Sequence, residues 1–219
     1  MCGRYSLVEI NKLLLRYSIA DSGFHFLPRY NIAPTQEVPI VVHEEKGNKL
    51  KSMKWGLVPH WAKDKRIGNS LINARAETIV EKPAFRSSFQ KRRCLVPADA
   101  FYEWEKVGKQ KVPLRILPKE KGIFSIAGIW DRWETPEKKD LLSFSIITTS
   151  PNDMMKPIHN RMPVILGLED EDTWLNPESS KEHLLSLLKP CPEDYLEYYE
   201  VSRNLNNPAN DRPELIQAV

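Results

Sequence analysis

Short β-prone runs separated by prolines, with no regular alternation of strand and helix, set the narrowest limit on how this chain can fold. The runs at 38–43, 50–58, 94–96, 101–105, 114–117, 124–130, 142–149, 162–166 and 195–202 are rich in branched and aromatic residues and are bounded by turn formers. Helical patterning is confined to brief stretches at 74–80, 84–90, 169–175 and 181–188. A doubly wound parallel sheet needs a helix between successive strands. Strands that cluster without one imply an α+β fold, with a mostly antiparallel, barrel-like β core and peripheral helices. The 17 prolines suit the sharp corners such a core requires.

With 219 residues, 41% of them hydrophobic, and no Gly/Ser linker or low-complexity block, the chain reads as one domain spanning 1–219. No apolar run approaches the roughly 18 residues of a membrane span, and the start lacks a charged-then-apolar leader, so a cytoplasmic location is expected. Cys2, Cys94 and Cys191 are far apart and without CxxC spacing, which argues against a disulfide framework and a zinc site. No metal or cofactor is expected. The formal charge of +3 does not separate a nucleic-acid binder from an ordinary enzyme. Its distribution is more informative: Lys82, Arg86, Lys91, Arg92 and Arg93 crowd one stretch, with Arg66 and Arg75 upstream. Such a run is either a solvated face or a phosphate track.

The chain opens Met1-Cys2-Gly3-Arg4. Methionine aminopeptidases act before small side chains, so the mature protein is expected to begin at Cys2. Its α-amine, with a pKa near about 7.7 to 8.0, and its thiol, near about 8.5, would then sit on adjacent carbons, each partly nucleophilic at neutral pH. Either the thiolate attacks an acyl carbon with the amine as base, or the amine condenses with an aldehyde and the thiol closes a thiazolidine ring. The plain alternative is a small residue after the start codon. Ser6 and Glu9 have capping-box spacing, and Val8, Ile10, Leu13, Leu14 and Tyr17 form a stripe, which predicts a helix directly behind this terminus.

Four further places set polar groups in apolar surroundings. Asn73 follows Leu71-Ile72, where it is either a helix N-cap or a holder of a substrate hydroxyl or oxyanion. In Phe101-Tyr102-Glu103-Trp104-Glu105, strand alternation flanks Glu103 with large apolar groups. A carboxylate desolvated there suits general acid or base work; a solvent-facing glutamate paired with lysine is the alternative. His159 lies between Pro157 and Pro163, just ahead of a buried run, and is either a fixed catalyst or a satisfied structural imidazole. Thr148-Thr149-Ser150 closes an apolar strand and suits capping or phosphate contact. His60 is ambiguous, and His25, His43 and His183 have no informative neighbours.

Taken together, Met1-Cys2-Gly3-Arg4-Tyr5, Arg29-Tyr30-Asn31-Ile32-Ala33-Pro34-Thr35, Trp55-Gly56-Leu57-Val58-Pro59-His60-Trp61-Ala62, Asn73-Ala74-Arg75-Ala76-Glu77-Thr78, Phe101-Tyr102-Glu103-Trp104 and His159-Asn160-Arg161-Met162-Pro163 resemble the SRAP family, named for SOS response-associated peptidases. The resemblance extends to Asn206-Asn207-Pro208 and Pro213-Glu214-Leu215-Ile216 and so covers nearly the whole chain. It implies the SRAP fold and an enzyme of the DNA damage response. Such an enzyme recognises abasic sites in single-stranded DNA, including single-strand/double-strand junctions, and crosslinks to them covalently through Cys2, shielding the lesion. It implies Cys2, Asn73, Glu103 and His159 as catalytic groups, and Arg4, Arg75, Trp104, Thr148, Ser150 and Arg161 as DNA contacts. A monomer without membrane partners, nucleoid-associated when bound to DNA, goes with this reading, and autoproteolytic, peptidase or lyase activity could accompany it. Two departures from the family pattern are Ala100, where glycine is common, and Leu205, where valine is usual.

Three other readings compete. An N-terminal-cysteine amidohydrolase also opens Met-Cys-Gly, but its His-Arg-Gly-Pro and Asn-Gly-Glu motifs are absent. A peptidase that removes its own Met1 could use the same Asn73, Glu103 and His159. A non-catalytic single-strand binder would need only an inert Cys2.

Overall fold

Each of the longer strands buries alternate or consecutive branched residues, and the sheet they build closes on itself. The structure is a computed structural model that describes residues 2–20, 23 and 25–219. Its strands are β1 (Tyr5–Leu7), β2 (Arg29–Ile32), β3 (Glu37–Glu44), β4 (Gly47–Trp55), β5 (Asn73–Arg75), β6 (Arg93–Ala98) and β7 (Ala100–Val107). These are followed by β8 (Gln110–Pro118), β9 (Phe124–Glu134), β10 (Asp140–Thr149), β11 (Met162–Pro163), β12 (Ile165–Leu166) and β13 (Leu196–Glu200). The α-helices are α1 (Leu13–Arg16), α2 (Arg86–Lys91), α3 (Leu168–Leu175) and α4 (Lys181–Ser186).

A closed ring runs β3–β4–β10–β9–β6 and back to β3. All of its pairings are antiparallel except β4 with β10, which are parallel with Phe144 opposite Trp55. Inside lie Ile40, Met53, Trp55, Val96, Ile126 and Phe144, all fully buried. Trp55 stacks on Phe144 at 6.3 Å between centroids and meets Tyr5 edge-on at 5.3 Å. Each such side chain contributes about 1.5–3 kcal/mol of burial, and closure of the ring removes its sheet edges. A second sheet, ordered β13-β8-β7-β1-β2, carries the amino-terminal arm as its fourth strand, where β1 pairs with both β7 and β2. The barrel-like α+β architecture expected from the strand pattern is the one found.

Local departures have tertiary causes. Ser6 caps no helix: it sits in β1 with its hydroxyl donating to Asp99 at 2.5 Å, and only a 3₁₀ turn and the four-residue α1 follow. Asn73 is likewise not an N-cap. It opens β5, which adds in parallel to β10, and the stretch expected to be helical from 74 to 80 holds only a 3₁₀ turn at Ala76–Thr78. The strands β1, β2 and β5 lack a readable pattern because each has only three or four residues. The run at 162–166 divides into β11 on β10 and β12 on β9, with Val164 between them bonding to both neighbours.

Between β4 and β5 the chain makes a loop whose two backbones touch. A Cβ on Gly56 (φ +123°) would lie 2.6 Å from the Gly68 carbonyl oxygen, and one on Gly68 would lie 2.5 Å from that of Gly56. Only glycine at both positions allows this approach. The loop is anchored further by Val58 N–H on the Ser143 hydroxyl, Trp133 Nε1 on the Ala62 carbonyl and Trp55 Nε1 on the Ile72 carbonyl. Its exit therefore delivers Asn73 at a fixed place beside β10.

Candidate active site

Register places the terminal arm next to Glu103. Tyr5 pairs with Phe101, Ser6 pairs with Ala100, and Tyr102 N–H donates to the Arg4 carbonyl. Continuing this antiparallel register brings Cys2 and Gly3 alongside Glu103 and Trp104. Ala100, one of the two departures from the family pattern, is fully buried within β7 and pairs there in regular register.

Cys2 is fully buried. Burial, reinforced by the neighbouring Glu103 carboxylate, pushes its thiol well above the ordinary range. Burial also raises Glu103, to about 7, so that at neutral pH the carboxyl is divided between its acid and base forms. The Glu103 carboxylate discourages ionisation of the thiol, while desolvation alone raises Glu103, so the two share one buried space in which the carboxyl can exchange a proton near neutrality. Asn73 reaches the arm from the barrel side, its Nδ2 donating to the Cys2 carbonyl oxygen at 2.9 Å. Among the described residues its buried Oδ1 has no hydrogen-bond partner, leaving one acceptor for an incoming group.

The end of β10 assembles the other wall. At Thr148 it pairs with Arg75 of β5 and with Pro163 of β11, so the 73–75 and 161–163 segments meet across one strand. Arg161 holds Glu77 through both nitrogens, at 2.6 and 2.9 Å, and donates to the Thr148 carbonyl at 2.6 Å. The guanidinium in turn keeps the Glu77 carboxyl below its usual range. His159 is half-buried, and its Nδ1 lies 3.0 Å from the Arg161 backbone nitrogen and 3.2 Å from the Arg161 carbonyl oxygen, so the neutral ring accepts or donates there according to its tautomer. Burial lowers its pKa and favours that neutral ring.

The sequence-predicted contact residues fall into two groups. Arg75 and Ser150 are exposed, whereas Thr148 is buried beneath Arg161. Arg4 turns inward: its Nη1 donates to Asn31 Oδ1 at 2.7 Å and to the Leu205 carbonyl at 2.8 Å, and its guanidinium lies 5.6 Å from the Trp104 ring centroid. Trp104 is half-buried, with Nε1 donating to Asn206. The basic run at 82–93 is not one continuous track. Lys82, Arg86 and Lys91 are exposed, but Arg92 pairs with Asp131, and Arg93 is buried with four donor contacts to the carbonyls of Phe89, Gln90, Trp174 and Asn176. His60 is oriented by the buried Asp131 at 3.1 Å.

Residues that sequence reasoning passed over are Asn31 and Glu77. Both stood in quoted motifs, but nothing in spacing alone shows that Asn31 is buried against the carboxy-terminal segment or that Glu77 grips Arg161. Among the described residues no three metal-ligating side chains converge, and no helix is long and apolar enough to cross a membrane. The cysteines are free.

The profile of the SOS response associated peptidase (SRAP) family matches residues 1–208. The abasic site processing protein YoqW of Bacillus subtilis is 44% identical over 225 residues, covering 100% of both chains. The abasic site processing protein HMCES of Rattus norvegicus is 33% identical, over 87% of this chain and 65% of its own. A crystal structure of a protein from Bacteroides thetaiotaomicron superposes with a TM-score of 0.91 at 33% identity, covering 100% of each chain. By profile, relatives and fold, the chain belongs to the SRAP family.

Proposed function

We propose that this protein recognises abasic sites in single-stranded DNA and becomes covalently joined to them through the α-amine and thiol of Cys2, after removal of Met1. One observation carries the reading: Cys2 is tethered through its carbonyl by Asn73 and lies beside a glutamate whose carboxyl titrates near neutrality. Relatives of similar length named abasic site processing proteins support the substrate class.

An abasic deoxyribose is mostly a closed hemiacetal. In its neutral form Glu103 protonates the ring oxygen while its conjugate base accepts the hydroxyl proton, opening the sugar to the C1′ aldehyde. The Cys2 amine adds to C1′, and the carbinolamine loses one water to give the imine. The thiol then adds to the imine carbon, its proton passing through Glu103 to nitrogen, and a thiazolidine results. Ring closure is intramolecular, so the second nucleophile arrives without further loss of translational freedom. With its sugar C1′ locked in a ring, the lesion resists β-elimination. His159 presents its ring to the sugar oxygens, and Asn73 Oδ1 accepts from the terminal nitrogen or the opened sugar. Arg75 and Arg161 hold flanking phosphates with Ser150 and Thr148 at their edge, while Arg4 and Trp104 act from the far side of the arm. A thiolate attack on a carboxamide fits less well, because burial opposes ionisation of this thiol.

The test is an oligonucleotide with one abasic site mixed with purified protein. The expected product is a denaturant-resistant adduct whose intact mass is protein plus DNA minus one water. Cys2→Ala should keep a transient, borohydride-reducible imine but lose the durable adduct. A Cys2→Ala protein that crosslinks as durably as wild type removes the thiol from the mechanism.

A further inference from the structure

The arm that bears Cys2 is held on one side by Asn73 and on the other by a segment 201 residues from Arg4 in sequence. Asn31 is fully buried, and both ends of its side-chain amide are engaged at this contact. Its Nδ2 donates to the carbonyls of Leu205 at 3.2 Å, Asn207 at 3.1 Å and Asn210 at 2.7 Å, while its Oδ1 accepts from Arg4 at 2.7 Å. Three carbonyls of the carboxy-terminal segment, sharing the two amide hydrogens, and the residue two places beyond Cys2 thus converge on one side chain.

The same segment closes the contact from both ends. Asp211 accepts the backbone N–H groups of Tyr30 at 2.6 Å and Asn31 at 3.1 Å and pairs with Arg29. Leu205 is fully buried in a small cluster with Tyr102, Val201 and Leu215, on the face of β7 opposite Glu103. Valine's larger relative at position 205 therefore fills this cluster rather than the barrel.

We infer that residues 203–212 form a strap whose grip on Asn31 and Arg4 fixes the arm against Glu103 and Asn73, making Asn31 a positioning residue for the crosslinking step. This rests on the reading of Cys2 as the reactive residue. The physical reason for such a strap lies in the arm's shape. A chain terminus has neighbours on one side only and frays unless tied down, whereas ring closure at Cys2 needs its amine and thiol in one fixed place. Arg4 supplies the tie, with its guanidinium held by Asn31 Oδ1 and the Leu205 carbonyl.

The experiment compares wild type, Asn31→Ala and the milder Asp211→Asn by timed alkylation of the native proteins with iodoacetamide, with modified cysteines located by peptide mass. Cys94 and Cys191, both buried, serve as internal controls. Loosening the strap should raise Cys2 labelling about tenfold in Asn31→Ala and less in Asp211→Asn, with both control cysteines at wild-type rates, since local opening exposes only the segment released. The rate of abasic-site adduct formation at saturating oligonucleotide should fall in the same order, while affinity for an intact single strand stays within about twofold. Unchanged Cys2 labelling in both variants, or a parallel rise at all three cysteines, overturns the positioning role. Should Asn31→Ala not fold, Asp211→Asn alone decides. Failure of wild type to form any adduct would instead defeat the proposed function, which the labelling does not measure.

Discussion

The side-chain amide of Asn73 donates to the carbonyl oxygen of Cys2 across a sequence separation of 71 residues. This bond joins the barrel, through β5, to the arm paired with the second sheet, and it defines where the terminal residue stands relative to Glu103. Asn73→Ala should therefore slow adduct formation. Losing one hydrogen bond in a desolvated site costs about 1–3 kcal/mol, or roughly five- to 150-fold in rate. Affinity for undamaged single strands, measured by fluorescence anisotropy, should be little changed.

Glu103 links pH to stability. Its carboxyl titrates at about 7 in the folded protein, against 4.5 for the free group. Between those values the native state binds more protons than the unfolded chain, so this group makes stability fall as pH rises from about 4.5 to about 7. Glu103→Gln removes that slope. The difference between the two proteins' pH–stability curves, from urea unfolding, should reach on the order of 3 kcal/mol above pH 7 in favour of the variant. Adduct formation by the variant should be slower and lose its inflection near neutrality.

Arg161 spends both terminal guanidinium nitrogens on Glu77, which is half exposed and competes with the phosphate contact proposed for Arg161. Such a partly exposed pair is worth no more than about 1 kcal/mol, so DNA can displace it. Glu77→Gln should tighten single-strand binding at low salt and steepen its logarithmic salt dependence by about one charge. Arg161→Ala should weaken binding and flatten that dependence, as a salt titration would read.

Arg93 is the counter-case, a basic residue with no access to DNA. It closes the carbonyl ends of α2 and α3 from within the fold. Arg93→Met should lower the melting temperature by about 6–12 °C, for a loss of about 3 kcal/mol in a chain of this size. Calorimetry gives this value, and single-strand affinity of the folded variant should match wild type.

Much of the β core was legible because its strands are long enough to carry a pattern: β3, β4 and β7 to β10 all fall where branched and aromatic runs stand. The short strands β1, β2 and β5 were not, and they are the ones that bring Cys2 and Asn73 into place. The stripe from Val8 to Tyr17 has helical spacing, yet the Ser6 hydroxyl and the Val8 N–H both bond to Asp99, holding this stretch extended until the 3₁₀ turn begins. Asp99 lies more than ninety residues away, and local periodicity carries no trace of it.

What the sequence determined by itself was chemical: a cysteine behind the initiator, a glutamate among aromatics, an asparagine and a histidine in apolar settings, and a strand-rich chain bound to form a β core. Side-chain type and short-range pattern are local properties and can be read along the chain. The tertiary structure alone decided that Arg4 faces Asn31 and the carboxy-terminal strap, that Arg93 serves two helix ends, and that burial raises the Glu103 carboxyl, which in turn helps raise the Cys2 thiol. Hydrogen-bond partners and desolvation depend on which distant segments come within a few ångströms, and only the closed packing of the two sheets sets those distances.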